Sequence, residues 1–237
     1  MTLEVLQSKE QIAQSRIELI QRGLSHITPP WRKVLRKLRL SKALKVGEQA
    51  KSWDVLRSTQ FIEKNLEKNA AILDIGCFCS EILPSLNNLG FSNMTGVDLN
   101  PDISAMPYAE VINYSQQNFL HTNFADASFD AITSISVIEH GFDAPSLLAE
   151  MSRLLKPGGV FIASFDYWPE KIDTGDKTFF DMSWLIFSRD EVNDFIDQAL
   201  EYGLKPAGKI QGSARERAIS CEGFNYTFGW LVLEKNT

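Results

Sequence analysis

From residue 70 onward, short apolar runs alternate with segments of helical period. The runs are AAILDI (70–75), MTGVDL (94–99), FDAITSIS (129–136) and GGVFIASF (158–165). Between them lie EILPSLNNLG (81–90) and APSLLAEMSRLL (144–155). In the second, Leu147, Leu148, Met151, Leu154 and Leu155 make one stripe, and KPGG at 156–159 breaks it. Strands that alternate with helices and read apolar throughout predict a parallel sheet covered on both faces. A further helix is predicted over 188–202, opened by the capping-box pair Ser188 and Glu191 and closed by Gly203 and Pro206. YTFGWLVLEK (226–235) reads as a closing strand.

The first fifty residues follow a different pattern. Residues 3–22 predict a helix with Leu3, Leu6, Ile12, Ala13, Ile17 and Ile20 mostly inward, ended by Pro29 and Pro30. In WRKVLRKLRLSKALK (31–45), Trp31, Val34, Leu35 and Leu38 recur at helical spacing among seven Lys/Arg. Ser52 is placed to cap a third helix over 53–67. Charge divides the chain at about the same point. Residues 1–47 hold ten Lys/Arg against three Glu, whereas the remainder holds fourteen against twenty-seven Asp/Glu. The expected organisation is therefore a basic helical extension at 1–50 and an α/β domain at 51–237.

Composition narrows the class without naming it. A chain of 237 residues with 44% hydrophobic and 23% charged residues is ordinary for a globular protein. Three cysteines, Cys77, Cys79 and Cys221, suggest a reducing compartment, and none is spaced with a second Cys/His pair for zinc. The expectation is no metal. No apolar run reaches the roughly 18 residues of a membrane span, and the N-terminus lacks an apolar signal core, so a cytoplasmic location is expected.

Candidate chemistry sits at the carboxyl ends of the predicted strands, where open parallel sheets bind ligands. DIGCFCS (74–80) has the look of a glycine-rich turn, but Phe78 and Ser80 stand where glycines are expected. A dinucleotide pyrophosphate needs the close backbone approach of a full G-x-G-x-x-G, so a nicotinamide cofactor is disfavoured. S-adenosylmethionine has a ribose and no phosphate, and it carries a net positive charge. One essential glycine and a strand-tip carboxylate, Asp98, suit it better.

ILDIGC, TGVDLNP, TNFADASFDAITSISVIEH and AEMSRLLKPGGVFIASF, in this order and spacing, resemble the class I S-adenosylmethionine-dependent methyltransferases over about 50–235. SFDYWPEKIDTGD with WLIFSRDEV further resembles a bacterial, type 11-like subgroup of unassigned substrate. The resemblance implies a Rossmann-like α/β fold, a seven-stranded mostly parallel sheet with helices on both faces, and S-adenosylmethionine as cofactor with S-adenosylhomocysteine as product. It implies that Asp74, Gly76 and Cys77 line the methionine end, and that Asp98 holds the ribose with Leu99 against the adenine. It also implies that Asn118 and the Phe119 backbone meet the adenine edge, and that Ser134, Ile135 and Ser136 run beside the methionine. The departures at Phe78 and Ser80 leave two readings of the loop, working with the Phe78 ring turned aside, or decayed.

A general base for an oxygen or nitrogen acceptor is sought near the fourth and fifth strand ends. His140 is the first candidate, with Asp166 and Tyr167 beside the expected acceptor site. Glu139 reads as a cofactor-pocket or helix-start residue, and Tyr226 and Trp230 as core. The aromatic and acidic insert 166–187 is expected to form a lid over a sugar-like or other polar acceptor. The basic stretch 31–45 reads first as a solvated face balancing the acidic body, with contact to anionic lipid or an acidic carrier as another reading. Nucleic acid is not the expected partner of an acidic body that lacks an RNA-binding motif. The expected function is methyl transfer to a small-molecule or glycan- or lipid-linked acceptor. The alternatives are a non-catalytic binding protein with the same fold and a macromolecule (RNA or protein) methyltransferase. Oligomeric state is not legible.

Overall fold

A computed structural model describes residues 3–27, 44 and 46–237. The basic stretch 31–45 therefore lies, but for Leu44, outside the described residues. The sheet is built on β2 (Ala71–Ile75), a strand buried at every position. Beside it run β3 (Asn93–Asp98), β4 (Asn113–Gln116), β5 (Phe129–Ile135) and β6 (Leu155–Tyr167). All four contacts in the order β4-β3-β2-β5-β6 are parallel. The chain winds from β2 through β3 to β4, then returns to the other side of β2 for β5 and β6. This reversal opens a crevice beyond the carboxyl ends of β2 and β5.

The closing strand β11 (Phe224–Lys235) lies antiparallel on β6, with Gly229 opposite Phe165. Three short strands then pair antiparallel with β11: β1 (Leu3–Val5), β9 (Leu204–Pro206) and β10 (Ile219–Cys221). The main path thus has the expected seven strands, β1-β11-β6-β5-β2-β3-β4, and β9 and β10 bring the sheet to nine. β7 (Thr178–Phe179) and β8 (Met182–Ser183) form a separate hairpin within the insert.

Helices cover both faces. On one, α4 (Ala144–Leu154) and α5 (Arg189–Glu201) bury Leu147, Leu148, Met151, Val192, Phe195 and Ile196. On the other lie α1 (Lys9–Gln21), α2 (Ser52–Asn65) and α3 (Ile82–Asn88), burying Ile12, Leu19, Val55, Leu56, Ile62 and Leu86. The capping box of α5 forms as its sequence predicts: Ser188 Oγ accepts from Glu191 N–H while the Glu191 carboxylate accepts from Ser188 N–H. Among the described residues, no helix is long and apolar enough to cross a membrane.

The N-terminal segment departs from its predicted form. Residues 3–5 are a strand, because Leu3 and Val5 alternate inward against the free edge of β11. The helix begins only at Lys9, and its buried side carries Ile12, Ser15, Arg16 and Leu19. Ile17 and Ile20, expected inward, are 54% and 60% exposed. Ser52 does not cap α2; it accepts from Arg16 Nε and donates to Gln49 O.

The turned face of α1 has a physical cause. Arg16 makes a two-pronged ion pair with Glu81, Nη1 to Oε1 at 2.9 Å and Nη2 to Oε2 at 2.7 Å, with both side chains almost wholly buried. Arg16 also donates to Ser25 Oγ and Glu48 O, and His26 N–H donates to Glu81 Oε1. Glu81 directly precedes α3, so the pair ties α1 and the start of α2 to the segment that follows the glycine turn. Replacing Arg16 with Met strands a buried carboxylate, and a loss of about 3–5 kcal/mol in urea-unfolding stability is expected. A loss below about 1 kcal/mol would show that the pair does not hold these segments together.

Candidate active site

The turn after β2 starts the site. Gly76 has φ +63°, and a Cβ there would lie 2.4 Å from Val137 Cγ2, so only glycine fits. Phe78 contributes its backbone: its N–H donates to Asp98 Oδ2 at 3.0 Å, and Asn100 N–H donates to Oδ1 at 2.8 Å. The Phe78 ring packs against the small cluster of Val46, Cys77, Ile103 and Met106. Ser80 Oγ accepts from Ile82 N–H at the entry to α3. Gly47 closes over this turn. Its N–H donates to Cys79 O, and a Cβ on it would strike the Glu81 side chain at 2.4 Å.

A cavity of about 800 Å³ opens beyond the ends of β2, β3, β5 and β6. That lies within the roughly 300–1,000 Å³ of small-molecule and cofactor sites. Of the residues singled out from the sequence, Gly76, Phe78, Ser80, Asp98, Leu99, Phe119, Ile135, Ser136, Glu139, His140 and Asp166 line it. Asp74, Cys77, Asn118, Ser134 and Tyr167 do not. Asp74 is buried beneath the turn and accepts from Thr133 Oγ1 at 2.7 Å; burial pushes its carboxyl up to about 7. Cys77 is buried among apolar side chains, which raises its thiol. Asn118 is exposed and accepts from Leu120 N–H. Ser134 is wholly buried in β5.

Tyr167 is a correction, set by the period of two along β6. Asp166 faces the cavity, so Tyr167 faces the α4–α5 side, where its hydroxyl donates to Gly212 O at 2.5 Å. Tyr226 is corrected the other way. It is buried, yet it also forms part of the cavity wall.

The inner end of the cavity is acidic and aromatic. Glu139 and Asp166 line it, and Asp54 of α2 lies behind them, its Oδ2 accepting from Ser164 Oγ at 2.9 Å. Asp166 Oδ2 accepts from Trp184 Nε1 at 2.8 Å. Lys51, at the foot of α2, supplies the compensating charge to all three carboxylates; it donates to Ser136 Oγ and stands 4.1 Å from the Phe228 ring centre. Burial raises Glu139 well above the usual carboxylate range, with the Asp166 charge adding to it and Lys51 opposing. Burial also raises Asp166, against Lys51 and the hydrogen bonds from Trp184 and Tyr226. His140 is lowered to about 4, first by burial and then by Lys51, so its imidazole is neutral near pH 7.

The insert covers this end. Gly141 N–H donates to Ser183 O and Leu185 N–H to Glu139 O, stitching the hairpin to the turn after β5. Phe180 and Asp181, at the hairpin tip, both have positive φ, as a tight two-residue turn requires. The Phe179 and Phe180 rings stand 5.5 and 5.7 Å from His140. Lys51, Gly47 and Glu48 gave no sequence signal of a site, since each reaches the cavity only through tertiary packing. Glu139 stood next to His140 in a strand-end motif, and its burial was the missing information.

Residues 73–163 match the family model described as a methyltransferase domain. Over this segment the chain is similar to methyltransferase domains. The methyltransferase phqN of Penicillium fellutanum is 28% identical over 105 residues, covering 41% of this chain and 32% of that protein. The mitochondrial ubiquinone biosynthesis O-methyltransferase of Dictyostelium discoideum is 31% identical over 112 residues, covering 40% and 35%. This chain thus spans only about a third of the length of these two curated relatives. Among solved structures, the [4+2]-cyclase SpnF superposes with a TM-score of 0.60 at 15% identity, covering 81% of this chain and 84% of that one. The Burkholderia thailandensis 1,6-didemethyltoxoflavin-N1-methyltransferase, solved with bound 1,6-didemethyltoxoflavin and S-adenosylhomocysteine, gives 0.57 at 15% identity, covering 98% and 92%. At such identity these structures show a shared fold alone.

Asp54 gives this domain a pH signature. Burial pushes its carboxyl up from 3.8 to about 6. The folded state therefore binds this proton more tightly than the unfolded chain does. Stability falls as pH rises through that window, and the penalty is complete above it. Asp54→Asn keeps an acceptor for Ser164 and removes the charge. Chemical denaturation should show the variant more stable by on the order of 2–3 kcal/mol near pH 8, with no gain below about pH 4. Equal curves at both values would contradict an ionisable, buried Asp54.

Proposed function

We propose that this protein transfers a methyl group from S-adenosylmethionine to an oxygen or nitrogen of a small-molecule or glycan- or lipid-linked acceptor. The observation that carries the reading is the open cavity at the switch point of the sheet, rimmed by Gly76, Asp98, Ile135 and Ser136. The cofactor fits the donor set. Both Asp98 oxygens accept from backbone N–H groups that fix the carboxylate at the cavity rim, and each keeps a lone pair for a ribose hydroxyl. Leu99, half exposed at the rim, and Phe119 offer apolar surface for an adenine. The Lys51 ammonium beside Ser136 suits an amino-acid carboxylate. When bound, S-adenosylmethionine supplies an already electrophilic methyl carbon.

The chain's own residues have two tasks, positioning and exclusion of water. Holding two reactants in line can contribute about 7–11 kcal/mol to the rate. The turn after β2 holds one end of the cavity, and Lys51 and the Phe179–Phe180 hairpin flank the other. Phe78 filling the nucleoside site would support the non-catalytic reading. Phe78 lines the cavity, but it also packs on Val46, Ile103 and Met106, which favours the working reading of the loop. The macromolecule reading rests on the basic stretch 31–45, which lies outside the described residues.

Calorimetric titration with S-adenosylmethionine and S-adenosylhomocysteine tests the proposal. Micromolar binding is expected, and Asp98→Ala should weaken it at least tenfold. Unchanged affinity in the variant would dismiss the ribose placement, and no binding by folded, ligand-free wild type would dismiss the function.

A further inference from the structure

Among the described residues, the inner compartment of the cavity is short of positive charge. Glu139 is 1% exposed and lines it, yet neither Oε1 nor Oε2 has a hydrogen-bond partner. Asp166, 4% exposed, has Oδ1 likewise unpartnered. A buried carboxylate oxygen left without a donor is costly, and native structures rarely leave several together. Among the described residues, Lys51 is the cation that acts on Glu139, Asp166 and Asp54 together, and its ammonium already serves Ser136 and the Phe228 ring. Four rings, Phe179, Phe180, Trp184 and Tyr226, line the same cavity, with Met182 and Cys221 beside them. Aromatic faces beside desolvated carboxylates attract cations from two directions, by the ring quadrupole and by charge.

We propose that this compartment is an amine site, in which Glu139 and Asp166 hold the amino group of the methyl acceptor between the aromatic walls. The inference rests on the methyltransferase reading and names its acceptor class. An amine brings N–H donors to the orphan oxygens. A carboxylate or phosphate acceptor would add an anion to an acidic pocket and is rejected.

The same arrangement prepares the nitrogen to react. An alkylammonium has no free electron pair. Transfer of one proton to Glu139 breaks an N–H bond, forms an O–H bond on the carboxylate and leaves the pair on nitrogen. The burial that raises Glu139 favours a proton on its carboxylate oxygen. His140, lowered to about 4, competes poorly for it.

The test uses three probes of one shape, benzylamine, benzyl alcohol and benzoate, titrated calorimetrically into the full-length protein near pH 7.5, with S-adenosylhomocysteine titrated separately. Benzylamine is expected to bind at least tenfold more tightly than benzyl alcohol, with benzoate weakest. Glu139→Gln and Asp166→Asn should each reduce the benzylamine preference to threefold or less while S-adenosylhomocysteine affinity is retained, which also shows that the variants fold. Equal or tighter binding of the alcohol would assign the compartment to hydroxyl acceptors and overturn the proposal. So would binding of none of the probes, or an unchanged amine preference in both variants. Either result alongside normal S-adenosylhomocysteine binding leaves the methyltransferase reading standing; loss of S-adenosylhomocysteine binding in wild type strikes that reading instead.

Discussion

The buried pair of Arg16 and Glu81 joins two parts of the chain that are 65 residues apart. A guanidinium and a carboxylate out of water must satisfy nearly all their polar atoms with one another and with neighbours, or the desolvation cost is not recovered. Here the donors and acceptors come from α1, from residues 25–26, from 48–52 and from the start of α3. Few arrangements meet that many conditions at once. The pair therefore fixes where Gly47, Glu48 and Lys51 lie, and these residues form one wall of the cavity. It also explains why α1 spends its inward face on an arginine and leaves Ile17 and Ile20 in water.

The turn after β2 shows which part of a glycine-rich motif is indispensable. At Gly76 the positive φ and the closeness of Val137 forbid a side chain. At Phe78 the essential group is the backbone N–H to Asp98, and any residue but proline supplies it. The ring has somewhere else to go, because Val46, Ile103 and Met106 form an apolar shelf beside the turn. The turn and the strand-tip carboxylate thereby position one another.

Beyond that shared architecture, chemistry is concentrated where β5 and β6 end. Glu139 and His140 follow one strand and Asp166 closes the other, while the insert lays Trp184 and two phenylalanines over them. Among the described residues one lysine faces three buried carboxyl groups, and burial raises all three. That imbalance is a property of the assembled site and of no single element.

The α/β class, the parallel core and most strand and helix positions were legible because apolar periodicity is a local record of which faces are buried. The capping box of α5, the glycine turn and Asp98 at a strand tip were legible for the same reason: each is a short-range pattern with a short-range cause. The N-terminal strand was not, since Leu3 and Val5 form one only because β11 offers them an edge. Nor was the split between Asp166 and Tyr167, which depends on which face of β6 borders α2. Lys51, Glu81 and Glu139 acquire their roles from neighbours distant in sequence. Their spacing carries no trace of this, because burial and electrostatic pairing are fixed by what packs around a residue and not by the residues adjacent to it.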